Sequence, residues 1–294
     1  MCSRNQNTMI DEIFEKFDGA FAENTIRAYR SDFEQYSKWC ANKSISPTPA
    51  TADNLAMYVD ELSHTCKSAT IRRRVNALGT IYKLSRNPDF TKDPEVVLAL
   101  KRMHRKIGRR QRQAIPLTHD NVAQLLCQCT TDTIGLRNQV LLLLGYETMR
   151  RRSELCSFRF EDMQHSPTLG NVLWLRTSKT DQFGEGRPIV ISDRLFDLIH
   201  KWRRVCVTGG PILRGVDKHG NVSAKLNPGS IGTIINGLNL KLTAGTQPLY
   251  SGHSFRVGRA LDLFAAGKSI EQIMIKGGWQ TIPSALRYLR NSID

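Results

Sequence analysis

Apolar residues return at helical spacing through most of the first hundred positions. In NTIRAYRSDFEQYSKWC, Ile26, Tyr29, Phe33, Tyr36 and Trp39 recur every three or four residues, and Asn24 is placed to cap the helix they predict. TADNLAMYVDELSH reads as a second helix from Thr51, with Leu55, Tyr58, Val59 and Leu62 inward. A third begins at Ser68; it buries Ile71, Val75, Leu78 and Tyr82 and leaves Arg72, Arg73, Asn76 and Lys83 outside. The fourth takes Asp93 as cap and Pro94 as first helical residue, and Gly108 breaks it. Ile115-Pro116 then leads into a new element at Thr118.

The pattern changes after that point. Helices are expected over about 119–129, 134–148, 152–158, 193–206, 229–240, 253–266, 270–275 and 282–290. NVLWLRTSK and GRPIVIS read as short strands joined by the turn TDQFGEG. The fold class is therefore mainly α with a small β-sheet, in two domains: a helical domain over residues 1–107, a basic linker over 108–116, and an α-rich domain over 117–294. The last predicted helix holds one oddly placed residue. Ile282, Ala285, Leu286 and Leu289 form its apolar stripe, and Tyr288 points about a third of a turn away from them.

Composition narrows the class. No apolar run reaches the roughly 18 residues needed to cross a bilayer, and the N-terminus is too polar for a signal peptide, so a cytoplasmic protein is expected, nucleoid-associated in a bacterium. Seven cysteines without a CxxC pair, and Cys127 and Cys129 without partners to complete a ligand set, predict packed, reduced thiols and no metal. The net charge of +15 is shared almost evenly between the halves of the chain. That suits a polyanion, whose counterions are released on binding, although a generally basic protein would look the same. The segment KRMHRKIGRRQRQ has seven Lys and Arg and no acid. It would lie well along a phosphate backbone, and it would equally be a solvated charge run.

Candidate chemistry is scattered. His253 and Arg256 are three apart on a predicted helix and can converge on one anion, though such pairs are usually surface residues. Arg151 and Glu154 have the same spacing at a helix start, where the carboxylate could hold the guanidinium; a solvated face would read alike. Lys179 sits at a strand end beside a flexible turn. Combined with Tyr288, these groups suit phosphoryl transfer to a phenol. A free phenol ionises near pH 10, so it attacks a phosphodiester only where cations stabilise the developing charge. No Asp/Glu cluster of the two-metal kind and no GxxxxGK[ST] loop occurs.

The ordered set R151-R-S-E-L155, Lys179, H253-S-F-R256, G277-G-W279 and Tyr288 resembles the tyrosine recombinases, or phage-type integrases. The block SGHSFRVGRALDLFAAGKSIEQIMIKGGW is especially similar to that of Cre-type members, and the resemblance extends back to about Ala20. It implies a two-domain DNA clamp, with an N-terminal core-binding domain and a C-terminal catalytic domain. It also implies roles. Arg151 and Arg256 would bind the scissile phosphate, with His253 assisting them and proton transfer. Trp279 would stand where other members carry histidine, Lys179 would protonate the leaving 5′-oxygen, and Glu154 would support the site. Tyr288 would be the nucleophile, which explains its lean off the stripe. Strand exchange would then need no metal, ATP or other cofactor.

Candidate DNA contacts are Arg27, Arg30, Arg72 and Arg73 in the helical domain and Lys101, Arg105, Arg109, Arg110 and Arg112 at the linker. The implied partners are double-stranded DNA with an inverted-repeat site and a homotetramer on two such sites, with no membrane. Family members usually continue into a further helix, whereas only LRNSID follows Tyr288 here, so either the chain is truncated or its subunit contacts use other surfaces, and tetramers are expected to form weakly without DNA. Two alternatives stay open: a type IB topoisomerase acting without synapsis, and a DNA-binding or architectural protein that kept the fold without activity.

Overall fold

The computed structural model describes residues 11–109, 113–178, 185–243 and 249–289. The chain divides into two compact units, Met1–Arg112 and Gln113–Asp294, each closed around its own apolar core.

The first unit is helical: α1 (residues 11–16), α2 (Glu23–Asn42), α3 (Ala52–Leu62), α4 (Ser68–Leu84) and α5 (Pro94–Ile107). Phe33, Tyr36, Leu55, Tyr58, Ile71, Val75, Leu78 and Tyr82 meet in its core. Polar caps fix where the helices start. Thr51 Oγ1 accepts the amide of Asn54 at 3.2 Å, and the Asp93 carboxylate accepts that of Glu95 at 3.0 Å ahead of the proline turn. Gly108, at φ 73°, ends α5. Helix α2 departs from expectation. It starts at Glu23 with Ala22 as N-cap, because the Ala22 carbonyl already takes the amides of Thr25 and Ile26. Asn24 thus lies inside the first turn, and its side-chain oxygen accepts from Arg27 Nη1 at 3.4 Å.

The three consecutive arginines of α4 part company. Arg72 is exposed. Arg73 and Arg74 turn to Asp32 of α2, a carboxylate only 2% exposed. Burial pushes the Asp32 carboxyl up from its ordinary value, against the pull of both guanidiniums.

In the second unit α6 (His119–Cys127), α7 (Thr133–Thr148) and α8 (Arg152–Ser157) lead into a three-stranded antiparallel sheet, β1 (Met163–Ser166), β2 (Gly170–Leu175) and β3 (Arg187–Val190), in the order β1-β2-β3. Helices α9 (Asp193–Cys206), α10 (Ser230–Thr243), α11 (Ser254–Ala265), α12 (Ile270–Gly277) and α13 (Ile282–Leu289) follow. Strand β1 has no sequence signal, since MQHS is short and mostly polar. Its place comes from tertiary pairing: Asp162 just before it is buried and takes the Arg159 amide at 2.8 Å and Arg176 Nε, and Met163 then lies opposite Leu173. The expected strand-joining turn falls partly outside the described residues. No described helix is long and apolar enough to cross a membrane.

Two close approaches set the frame of the site. Helix α7 is buried on every side from Val140 to Leu144, and it meets α11 where the Phe255 ring lies against Gly145, in the space a Cβ would occupy. Gly258 does the same for the backbone at Leu117, whose amide donates to the Ser254 carbonyl at 3.0 Å. These contacts bring the end of α7 beside the start of α11. Below them a small apolar cluster of Met149, Ala260, Ile273, Trp279, Ala285 and Leu289 forms, with Tyr288 packed against it. Ile282, expected on the buried stripe of α13, is 49% exposed, because as first residue of that helix it lies beyond the cluster.

Candidate active site

Helix α7 ends in an elbow. Met149 adopts a left-handed conformation at φ 55° and is wholly buried, an unusual state for a residue with a side chain. Two guanidiniums take up its free carbonyls: Arg150 Nε donates to the Thr148 oxygen at 2.7 Å, and Arg256 Nη1 donates to the Met149 oxygen. Beyond the elbow Arg151 is the N-cap of α8, and Glu154 folds back onto it. The carboxylate receives the Arg151 amide at 3.1 Å and Arg151 Nη1 at 2.7 Å, which caps the helix and fixes the guanidinium with one side chain. Burial pushes the Glu154 carboxyl up, but the hydrogen bonds and charge of Arg151 outweigh it and hold the group below its ordinary 4.5.

Helix α11 contributes His253 as its N-cap and Arg256 one turn inside. Arg256 is 0% exposed. Its Nε and Nη2 have no hydrogen-bond partner, and its guanidinium lies 4.8 Å over the Trp279 ring. Burial lowers its pKa; the nearby Tyr288 oxygen opposes that shift and Arg151 adds to it. His253 is open to solvent at one edge. Loss of hydration on the protein side, then repulsion by Arg256, Arg151 and Arg152, holds its pKa below the usual 6.5 and favours the neutral imidazole.

Helix α13 delivers the phenol. Tyr288 Oη lies 2.8 Å from His253 Nε2, and its ring is 4.9 Å from that of Trp279. The turn that carries Trp279 needs both of its glycines: the indole lies over Gly277, and Gly278, at φ 69°, faces the guanidiniums of Arg187 and Arg150 where a Cβ would stand. Gln113, the first residue of the second unit, donates from Nε2 to the Tyr288 carbonyl at 3.0 Å.

Arg151, Glu154, His253, Arg256, Trp279 and Tyr288 are thus neighbours in one site. Lys179 lies outside the described residues, as do Arg110 and Arg112. Periodicity did not reveal Arg150, Arg187 or Lys276. Arg150 is 1% exposed, with its pKa lowered to about 9 by burial and then by Arg187 and Arg256. Lys276 is lowered by burial and then by Arg259 and Arg150. A nearly buried group of cations with orphaned donors is electrostatically suited to an anion.

Comparison with known proteins identifies the family. The model of the phage integrase family matches residues 116–293, and that of the phage integrase N-terminal SAM-like domain matches residues 16–86. The chain belongs to the phage integrase family. As a family member it is an enzyme of the tyrosine site-specific recombinase class, acting in DNA recombination. It is 28% identical over 266 residues to an integrase/recombinase xerD homolog of Selenomonas ruminantium, spanning 86% of this chain and 77% of that one. It is 25% identical over 292 residues to recombinase cre of Escherichia phage P1, spanning 92% and 85%. The similarity thus holds for XerD-type as well as Cre-type proteins. Among solved structures, a lambda integrase (75-356) dimer bound to a COC′ core site shares the fold with TM-score 0.65 at 14% identity, over 96% of this chain and 94% of that one.

The Glu154 contacts make a testable demand. A carboxyl whose folded pKa lies below its unfolded value stabilises the fold above the unfolded pKa and stops doing so as pH falls through the folded one. Glu154→Gln should therefore cost about 1.5–3 kcal/mol at pH 7, and denaturant unfolding of both proteins should show that gap closing as the pH is taken below 4.5.

Proposed function

We propose that this integrase-family enzyme cuts a DNA strand with the Tyr288 oxygen and passes the strand to a second DNA site. The phenol oxygen attacks the backbone phosphorus and its proton goes to His253 Nε2. The bond from phosphorus to the 5′-oxygen breaks, leaving a 3′-phosphotyrosyl ester and a 5′-hydroxyl. One ester replaces another, so the hydroxyl of another strand can reverse the step with no nucleotide consumed. The observation that carries this reading is the 2.8 Å contact between the His253 imidazole and the phenol, beside a buried guanidinium with two uncommitted donors.

Each remaining group has a part in the same step. Arg256 and Arg151 hold the non-bridging phosphate oxygens and match the charge that grows on them. Glu154 keeps Arg151 aimed. Trp279 offers its indole N–H to the phosphate and supports the Tyr288 ring. Lys179 acts as the acid that protonates the 5′-oxygen, a role resting on its place in the family motif. Four copies act on two sites; a lambda integrase tetramer bound to a Holliday junction, with TM-score 0.62, has the same fold. A topoisomerase reading lacks such support, and an inactive binding protein would have no need of the phenol–imidazole pair.

The helical unit and the linker supply the grip on duplex DNA, and the ion pairs sort the candidates. Arg27 is held by Glu23 at 2.7 Å, Arg30 by Asp11 at 2.6 Å, and Arg73 by buried Asp32. Arg72, Lys101, Arg105 and Arg109 are exposed and make no ion pair among the described residues, which leaves their charge for phosphates.

Three experiments test the proposal. Incubated with DNA flanking its own gene, the wild type should form a covalent adduct at mapped nicks, and Tyr288→Phe should bind that DNA with unaltered affinity and form none; an adduct that persists means another nucleophile. The rate of adduct formation at subsaturating DNA should rise with pH and level off, its midpoint below the 6.5 of an ordinary histidine, because the base must be unprotonated. Arg72→Ala should weaken DNA binding and reduce the salt slope by about 1, whereas Arg73→Ala should change the slope less and lower the thermal midpoint, since Asp32 then loses a partner.

A further inference from the structure

Arg150 is the most deeply buried charge in the site that the proposed chemistry does not use. It is 1% exposed, and its three nitrogens face three different places. Nε donates to the Thr148 carbonyl at 2.7 Å, at the elbow just before Arg151. Nη2 donates to the Lys276 carbonyl, at the end of α12. Nη1 lies where a Cβ on Gly278 would come within 2.7 Å of it. One planar group therefore bridges the backbone that aims Arg151 and the backbone that carries Trp279. The two segments are more than a hundred residues apart in sequence.

A charge in that position is costly. It loses its hydration and faces Arg187 and Arg256, which is why its pKa is lowered to about 9. An apolar side chain would fill the space without that penalty. What it could not do is donate to two carbonyls at the ends of α7 and α12 that have no other donor in the described hydrogen bonds, and a lysine has no rigid fork with which to span them.

We propose that Arg150 is a positioning residue: its guanidinium ties the Arg151 elbow to the Gly277–Gly278–Trp279 turn, and so sets the distance between the phosphate-holding arginine and the indole against which Tyr288 packs. The residue touches neither phosphate nor phenol. It acts through Trp279, whose ring is 4.9 Å from that of Tyr288 and 4.8 Å from the Arg256 guanidinium. Loss of the tie frees the glycine turn, the indole drifts, and the phenol is no longer held against His253 Nε2. The consequence for activity rests on the proposed role of Tyr288; the tie itself does not.

The test separates the two. The full chain is labelled with 5-fluorotryptophan, which gives one fluorine resonance for each of its four tryptophans, and the Trp279 line is assigned with Trp279→Phe. Arg150→Leu and Arg150→Lys are compared with wild type by fluorine NMR, by DNA affinity, and by the single-turnover rate of adduct formation on nicked duplex carrying a cleavage site mapped with the wild type. In the variants the Trp279 line should shift or broaden while those of Trp39, Trp174 and Trp202 stay in place, and the adduct rate at saturating DNA should fall about 100-fold with affinity retained. In a Trp279→Ala background the further loss from Arg150→Leu should nearly vanish, since both changes remove one coupled unit. An unmoved Trp279 line, an undiminished adduct rate, or a full additional loss in the Trp279→Ala background overturns the assignment. Should Arg150→Leu fail to fold, Arg150→Lys alone decides by the same criteria. A wild type that forms no adduct would refute the chemistry and leave the NMR result to judge the tie.

Discussion

The second unit depends on keeping the Arg256 guanidinium out of water. An unpaired buried cation is among the least favourable things a fold can contain, and this one is accepted only because its surroundings answer it in part. The Met149 carbonyl takes one donor, the Trp279 face lies beneath the plane, and the Glu154 carboxylate is close enough to favour the charge. Two donors are left over. The left-handed turn at Met149, the close α7–α11 packing at Gly145 and the small cluster beneath the site all serve to place those donors. Rigid framing of this kind suits a reaction whose main requirement is fixed positive charge where negative charge develops.

Much of this was legible in the residues, and the reasons are local. Helices with a polar cap and a clean apolar stripe, such as those starting at Thr51 and Asp93, begin where the sequence says they should, because cap chemistry and periodicity agree. The tyrosine turned off the stripe of α13 reaches the imidazole. What the sequence hid depends on long-range partners. Strand β1 exists because β2 offers it an edge and Asp162 anchors its start. The start of α2 is set by a backbone carbonyl, a group every residue possesses. In both runs of three arginines the members look alike, yet each divides by environment: Arg150 is buried and Arg151 is held by Glu154, while Arg72 stays free as Arg73 turns to Asp32.

That division has a common physical origin. Consecutive residues on a helix point about 100° apart, and the chain reversal at Met149 separates its neighbours in the same way, so a triplet of like charges cannot share one surroundings. In α4 Arg72 meets solvent while Arg73 and Arg74 both turn to Asp32; at the elbow Arg152 meets solvent, Arg151 meets Glu154, and Arg150 is left to the interior. Asp32 in the first unit and Glu154 in the second, 2% and 5% exposed, are the acids that settle which arginine turns where.

The hydrogen bond from Gln113 to the carbonyl of Tyr288 ties the first residue of the second unit to its last described helix. The opening residue of that unit thus holds the main chain of a residue 175 positions further on, and the unit is fastened end to end.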